Sequence, residues 1–325
     1  SELLGETPLL NANNNNAYTI AISSADAAVS ASDLNAINEL TTVAVDLTNV
    51  TSITSSSLVD LGTLGTAIGN SEFSNATGIT TIALSDTTVD ATVLAATIDS
   101  IDFINGLNTT LMTLASGATI NIDASEISTI LGHETGSIVG GSKLTISDQN
   151  IVVTGNISVD DANLLSATTT GTVTASITTT ESITELKTLD ETSNAYTIVI
   201  SSADATATAS DLNTLEAKTT VTIDASEITS LSGTYDEVTA LYESAGVDNL
   251  GDESITLTEN LTVAQANVID GLTTGAITAT IGNSGVSELL GETPLLNANN
   301  NNAYTIAISS ADAAVSASDL NAINE

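Results

Sequence analysis

The chain has no cysteine, no tryptophan and no arginine among its 325 residues, and only one histidine, one methionine and two prolines. Each absence closes a door. Without cysteine there is neither a disulfide scaffold nor a thiolate metal site. Three lysines (Lys143, Lys187 and Lys218) against 40 acidic residues leave nothing to neutralise phosphates, which argues against nucleic acid and against anionic membrane surfaces. His133, in "ILGHETG", stands without the partners that a catalytic triad or a zinc site requires, so it reads as a surface loop residue. A nucleophile elbow, a P-loop and a dinucleotide fingerprint are all missing, and the chain does not read as an enzyme. No apolar run approaches a membrane span, and no signal peptide is visible. With aromatics at 2%, the core has to be built from small and β-branched side chains in many thin layers.

What is present is acidity and repetition. The net charge of −37 suits an environment of high salt or divalent cations, where carboxylates cease to repel one another; it equally suits plain solubility. An apolar fraction of 42% is too high for ordinary disorder, so the chain packs. The stretch "SELLGETPLLNANNNNAYTIAISSADAAVSASDLNAINE" occupies residues 1–39 and returns unchanged at 287–325. The chain therefore reads as one large period, 1–286, followed by the start of the next, as if cut from a longer tandem array; a first residue other than Met agrees with a fragment.

A shorter period lies inside the long one. "AYTIAISSADAAVSASDLNAIN" (17–38) matches "AYTIVISSADATATASDLNTLE" (195–216) at 15 of 22 positions, and "INIDASEISTILG" (120–132) parallels "VTIDASEITSLSG" (221–233). Alternating β-branched runs mark strands centred on Ile20, Val43, Ile82, Ile120, Leu144, Val173, Ile198, Val221, Ile255 and Ile277, with Ile306 the next in line and an irregular strand over 150–159. Between them the spacing predicts short helices in 209–218 with Ser210 or Asp211 as N-cap, in 179–191, in 262–275 with Gly275 as the stop, and a longer one in 90–107. About ten such strand–helix units predict a repeat solenoid: parallel β-strands with short helices or turns between them, forming a β/α or β-helix-like rod. A string of β-sandwich domains is the competing architecture, and the chain lacks the hairpins it needs.

Candidate ligand groups are few. Asp160 and Asp161 in "SVDDAN", and Asp248, Asp252 and Glu253 in "SAGVDNLGDES", gather carboxylates that suit calcium, with solvated acidic turns as the alternative. "NANNNN" (11–16, again at 297–302) reads as a turn. Sequons begin at Asn49, Asn75, Asn108, Asn156 and Asn260, an unsurprising number in a chain so rich in Ser, Thr and Asn. The threonine runs lack the constant register of an ice-binding face, so they read as strand propensity.

"TASDLNTLEAKTT" and the stretch from "VTIDASEITSLSG" to "NVIDGLTTG" resemble repeats of giant bacterial cell-surface proteins, especially those of marine cyanobacteria. The resemblance spans most of 170–285. It implies export, tandem repetition and an extended surface role, and supplies no active-site residue. The expectation is a structural protein: an acidic extracellular fibre or cell-surface filament whose partners are copies of itself. The alternative is the stalk of a calcium-dependent adhesin or surface-layer component.

Overall fold

The computed structural model describes residues 16–105, 111–132, 144–190, 193–291, 293–295 and 301–324. The chain divides into two compact units, Ser1–Asn156 with Leu164–Ala175, and Ile157–Asn163 with Ser176–Glu325.

Up to residue 157 the order is β1 (Ala28–Val29), α1 (Ala31–Asn38), β2 (Val45–Asp46), β3 (Ser52–Ser56), α2 (Leu58–Gly69), β4 (Phe73–Ser74), β5 (Thr81–Leu84), β6 (Thr88–Asp90), α3 (Ala91–Asn105), β7 (Leu111–Thr113), β8 (Thr119–Asp123), α4 (Ile127–Gly132), β9 (Leu144–Thr145) and β10 (Asn150–Ile157). In the first unit β1, β3, β5, β7 and β9 form one parallel sheet in that order, and β2 pairs with β4. The register sets Val29, Ile53, Ile82, Met112 and Leu144 side by side. The last four of these are all buried, so one apolar row runs across the sheet. A second row, Val89–Ile120–Ile151, links β6, β8 and β10. Alternation along each strand produces these rows, because side chains two apart share a face.

The chain continues through α5 (Val159–Thr168), β11 (Val173–Ile177), α6 (Ile183–Leu186), β12 (Ala195–Thr197), β13 (Thr206–Thr208), α7 (Ala209–Glu216), β14 (Ile223–Asp224), β15 (Ser230–Gly233), α8 (Tyr235–Glu243), β16 (Val247–Asp248), β17 (Ser254–Leu261), α9 (Val263–Asp270), β18 (Ile277–Ser284), α10 (Val286–Leu289), β19 (Ala303–Ile308) and α11 (Ala317–Asn324). In the second unit β13, β15, β17, β18 and β19 form a parallel sheet, and β14 pairs with β16. Its row is Ala207–Leu231–Ile255–Ile277.

The expected single repeat solenoid is not what forms. The fold is mixed α/β, with five separate parallel sheets among the described residues, three of five strands and two of two. The reason lies in unequal segment lengths. Residues paired in register are 24 apart at Ala28 and Ser52, 29 at Ser52 and Thr81, 32 at Met112 and Leu144, and 22 at Ile255 and Ile277. A uniform coil requires turns of one length. Here the stretches between strands hold anything from a 3-10 turn to the fifteen-residue α3, so ladders stop and resume in other sheets. Register shifts at Ile53/Ser56, Thr256/Asn260 and Ile281/Ser284 add local breaks.

Polar groups join neighbouring segments. Each of α1, α2, α6, α7, α8 and α9 begins on a Ser or Thr whose hydroxyl accepts a backbone N–H of the first turn. At α1 the Ser56 hydroxyl accepts the N–H of the first helical residue, Ala31 (2.7 Å), and at α2, α6 and α8 a carboxylate from the following segment does so. Asp86 does so for Leu58 (2.8 Å), Asp204 for Ile183 (2.9 Å) and Glu259 for Tyr235 (2.8 Å). Negative charge at a helix N-terminus is favourable, which gives part of the acidity a structural role. Threonine hydroxyls before the strands donate to carbonyls one segment back, as Thr80 does to Thr51 and Thr229 to Ala205, each at 3.3 Å. No helix among the described residues is long and apolar enough to cross a membrane.

Candidate functional site

The five carboxylates singled out in the sequence take separate local roles. Asp160 and Asp161 lie in the first turn of α5, where Asp161 accepts from Ser158 Oγ at 2.8 Å and donates its N–H to the same oxygen. Asp248 Oδ1 accepts the N–H of Asn249 at 2.8 Å. Glu253 is buried; its Oε2 accepts the N–H groups of Gly251 (2.8 Å) and Asp252 (3.1 Å), while Oε1 has no hydrogen-bond partner. Asp252 contributes through its backbone. Among the described residues no group of three or more Asp, Glu or His is placed to hold a metal ion. His133 and Asn108 lie outside the described residues. The other sequon asparagines, Asn49, Asn75, Asn156 and Asn260, are all exposed, and Asn49 donates to Ile22 O and Asn75 to Asp46 Oδ1.

Glu253 has an internal counterpart. Gln149, also buried, accepts the N–H groups of Ser147 (2.8 Å) and Asp148 (3.3 Å) through Oε1, as Glu253 does through Oε2. A threonine hydroxyl donates to the backbone carbonyl of each, Thr169 to Gln149 and Thr273 to Glu253. The difference is the second side-chain atom. Gln149 Nε2 donates to Ala115 O at 3.1 Å, and Glu253 presents an oxygen with nothing to accept. Beside it, a Cβ on Gly275 would lie 2.3 Å from Glu253 O, so the close approach of the segments leading into β17 and β18 requires glycine there.

The duplicated segment gives the feature with the clearest geometry, because one sequence occurs in two environments. In the first copy, α1 packs on α2 and β3. Ala31 and Leu34 are fully buried, Ile37 nearly so, and Ile20 and Ile22 are buried as well. The cover is the chain that follows. Asp46 N donates to Ile20 O (2.9 Å) and Asp46 O accepts from Ile22 N (3.0 Å), so Ala21 pairs with Asp46. Thr41 Oγ1 donates to Tyr18 O (2.6 Å), Asn49 to Ile22 O (2.9 Å), and Asn35 to Asp60 O (2.9 Å).

In the second copy these positions are open. β19 is the edge strand of its sheet, with pairs to β18 on one side only. Leu320, the counterpart of Leu34, is 46% exposed against 0%, and α11 has no buried residue. A groove of about 510 Å³ opens there, lined by Leu289, Leu295, Tyr304, Ile306, Leu320 and Ile323 among others. At its floor Asn302 Nδ2 donates to Tyr304 Oη (3.1 Å) and to Asp270 Oδ1 (2.6 Å). Partial burial, and then the Asp270 carboxylate, push the Tyr304 hydroxyl up to about 12 against the opposing amide of Asn302. The same Asn–Tyr pairing joins Asn16 to Tyr18 (2.8 Å) and Asn194 to Tyr196 (3.0 Å).

Repetition in the sequence shows where to look; the cover of the first copy comes from the residues that follow it. The chain matches no protein-family model, no curated protein and no solved structure.

Proposed function

We propose that this chain is structural: part of an acidic extracellular fibre or cell-surface filament assembled from repeats of itself. One observation carries the reading. The segment at residues 1–39 recurs unchanged at 287–325, and in its first copy Leu34 and Ile37 are buried where α1 packs on α2 and β3, the elements that follow it. A repeating protein that supplies its own cover extends by adding more of itself. Outward carboxylates keep such assemblies from associating sideways, and salt weakens that repulsion. The proposal assigns no catalytic step.

Electron micrographs of native material test it: filaments with a repeating axial period support the reading, and dispersed single particles at all concentrations and salt levels sink it. A denaturing gel then distinguishes two forms of the same fibre, since a band at the 32.7 kDa of this chain replaces a covalent array by a polymer of subunits. Filaments that fall apart on calcium chelation would turn the reading into that of a calcium-dependent stalk or surface layer.

A further inference from the structure

We infer that Glu253 and Asp252 form a calcium site in the turn that leads into β17, with the ion held against Glu253 Oε1. The inference stands on that turn and is independent of the fibre reading.

A buried carboxylate needs a partner for its charge. Glu253 is 1% exposed, and Oε2 accepts the N–H groups of Gly251 (2.8 Å) and Asp252 (3.1 Å), which are neutral donors. Oε1 has no hydrogen-bond partner. Charges taken out of water are paired or coordinate a metal.

The turn at Gln149 shows what surrounds that second atom. Gln149 Oε1 accepts the N–H groups of the two residues before it, as Glu253 Oε2 does. A threonine hydroxyl closes on the backbone carbonyl of each residue. The strands that follow are set alike against their neighbours, Asn150 opposite Thr119 and Ser254 opposite Ser230. Two turns built alike place the remaining side-chain atom alike. At Gln149 that atom is Nε2, which donates to Asp148 Oδ1 (2.7 Å) and to Ala115 O (3.1 Å). At Glu253 it is an oxygen, Asp252 stands in the place of Asp148, and the segment leading into β15 stands in the place of Ala115. Where an amide served two acceptors, an oxygen joins them. A cation turns that conflict into a set of ligands.

The donors select the ion. They are hard oxygens, and calcium takes six to eight of them from carboxylates, backbone carbonyls and water. Asp252 is exposed, so the ion reaches the site from solvent and keeps part of its hydration. One buried and one exposed carboxylate, completed by carbonyls and water, form such a shell without the group of three acids that the described residues lack. The net charge of −37 draws divalent cations to the molecule.

Calorimetric titration of the chelator-treated full-length chain with calcium chloride, in about 0.15 M sodium chloride, tests the site. One saturable site is expected above the diffuse background of exposed carboxylates, together with a rise in the thermal unfolding midpoint. Glu253→Gln installs the residue that the same turn carries at position 149; it is expected to leave the circular dichroism unchanged and to abolish both the saturable site and the rise. Asp252→Asn, at an exposed position, is expected to weaken binding by more than about tenfold, because a charged ligand is lost. Coincident isotherms for the parent chain and Glu253→Gln overturn the inference, as does a diffuse background alone that fades with added salt. Should Glu253→Gln not fold, unchanged affinity in Asp252→Asn overturns it by itself.

Discussion

Glu253 sits where the chain elsewhere uses a glutamine, and the comparison with Gln149 fixes what the buried site needs. Both accept two backbone N–H groups, but only the amide offers a donor to the second position. A buried acceptor without a partner forfeits its hydration, a cost of about 1–3 kcal/mol. Gln149→Glu, which sets an oxygen against the Ala115 carbonyl where Nε2 now donates, is therefore expected to destabilise the first unit by an amount in that range, read as a fall in the urea midpoint at unchanged slope; an unchanged midpoint would contradict it. The exposed carboxylates behave differently. Hydrogen bonds hold several of them below their ordinary range: from Asn75 and then Thr48 on Asp46, from Asn249 on Asp224, from the Ser182 backbone on Glu185 and the Thr234 backbone on Glu237. A carboxylate whose pKa is lower folded than unfolded adds stability above its unfolded value and loses it as pH falls through the folded one. The expected urea midpoint is level from neutrality to about pH 4 and declines below it. Relief of repulsion among 40 acidic residues works in the opposite direction, so the decline is steeper in high salt, where that repulsion is already screened. A midpoint that rises on acidification in high salt would contradict it.

At the scale of elements, short helices gain definition from both ends of a polar join. Thr208 caps α7 from within, and Asp86 caps α2 from the next segment. Thr208→Ala and Asp86→Ala are each expected to cost about 1 kcal/mol, measured by calorimetry or urea unfolding, because each leaves a first-turn N–H without its acceptor. How legible these elements are in sequence follows from their side chains. α3, α7 and α9 stand out by spacing, and β5, β8, β10, β17 and β18 by alternation. β13 (Thr206–Thr208) and β15 (Ser230–Gly233) do not, because a strand of two to five small polar residues has no pattern of its own; pairing with neighbours makes it a strand. The same logic displaces four expected strand centres: Ile20 and Ile198 lie outside strands, each beside an isolated bridge residue (Ala21 and Val199), and Val43 and Val221 lie before β2 and β14. Helix ends shift likewise, with Thr208 capping in place of Ser210 or Asp211, and α9 stopping at Gly271 before Gly275.

At the scale of the molecule, the two copies of one segment make an internal control that few proteins provide. Leu34 and Leu320 lie in identical 39-residue segments, and what packs on Leu34 belongs to the chain that follows the first of them. Leu34→Ala is expected to cost 2–5 kcal/mol as a large-to-small change in a packed core. Leu320→Ala is expected to change the stability of a dilute chain by less than about 0.5 kcal/mol, as surface substitutions do. Equal costs at both positions under dilute conditions would mean that the second copy is covered as well.

The sequence by itself determined the composition of the core, the repeat and the parallel strands alternating with helices, since these depend on residue type and spacing along the chain. It also located the five candidate carboxylates, though not their dispersal. Only the tertiary structure decided that the strands divide among separate sheets, because this depends on how segments of unequal length close onto one another. It alone decided that Oε1 of the buried Glu253 has no partner whereas Nε2 of Gln149 reaches Ala115 O, because a hydrogen bond between distant segments depends on which carbonyl the fold brings near.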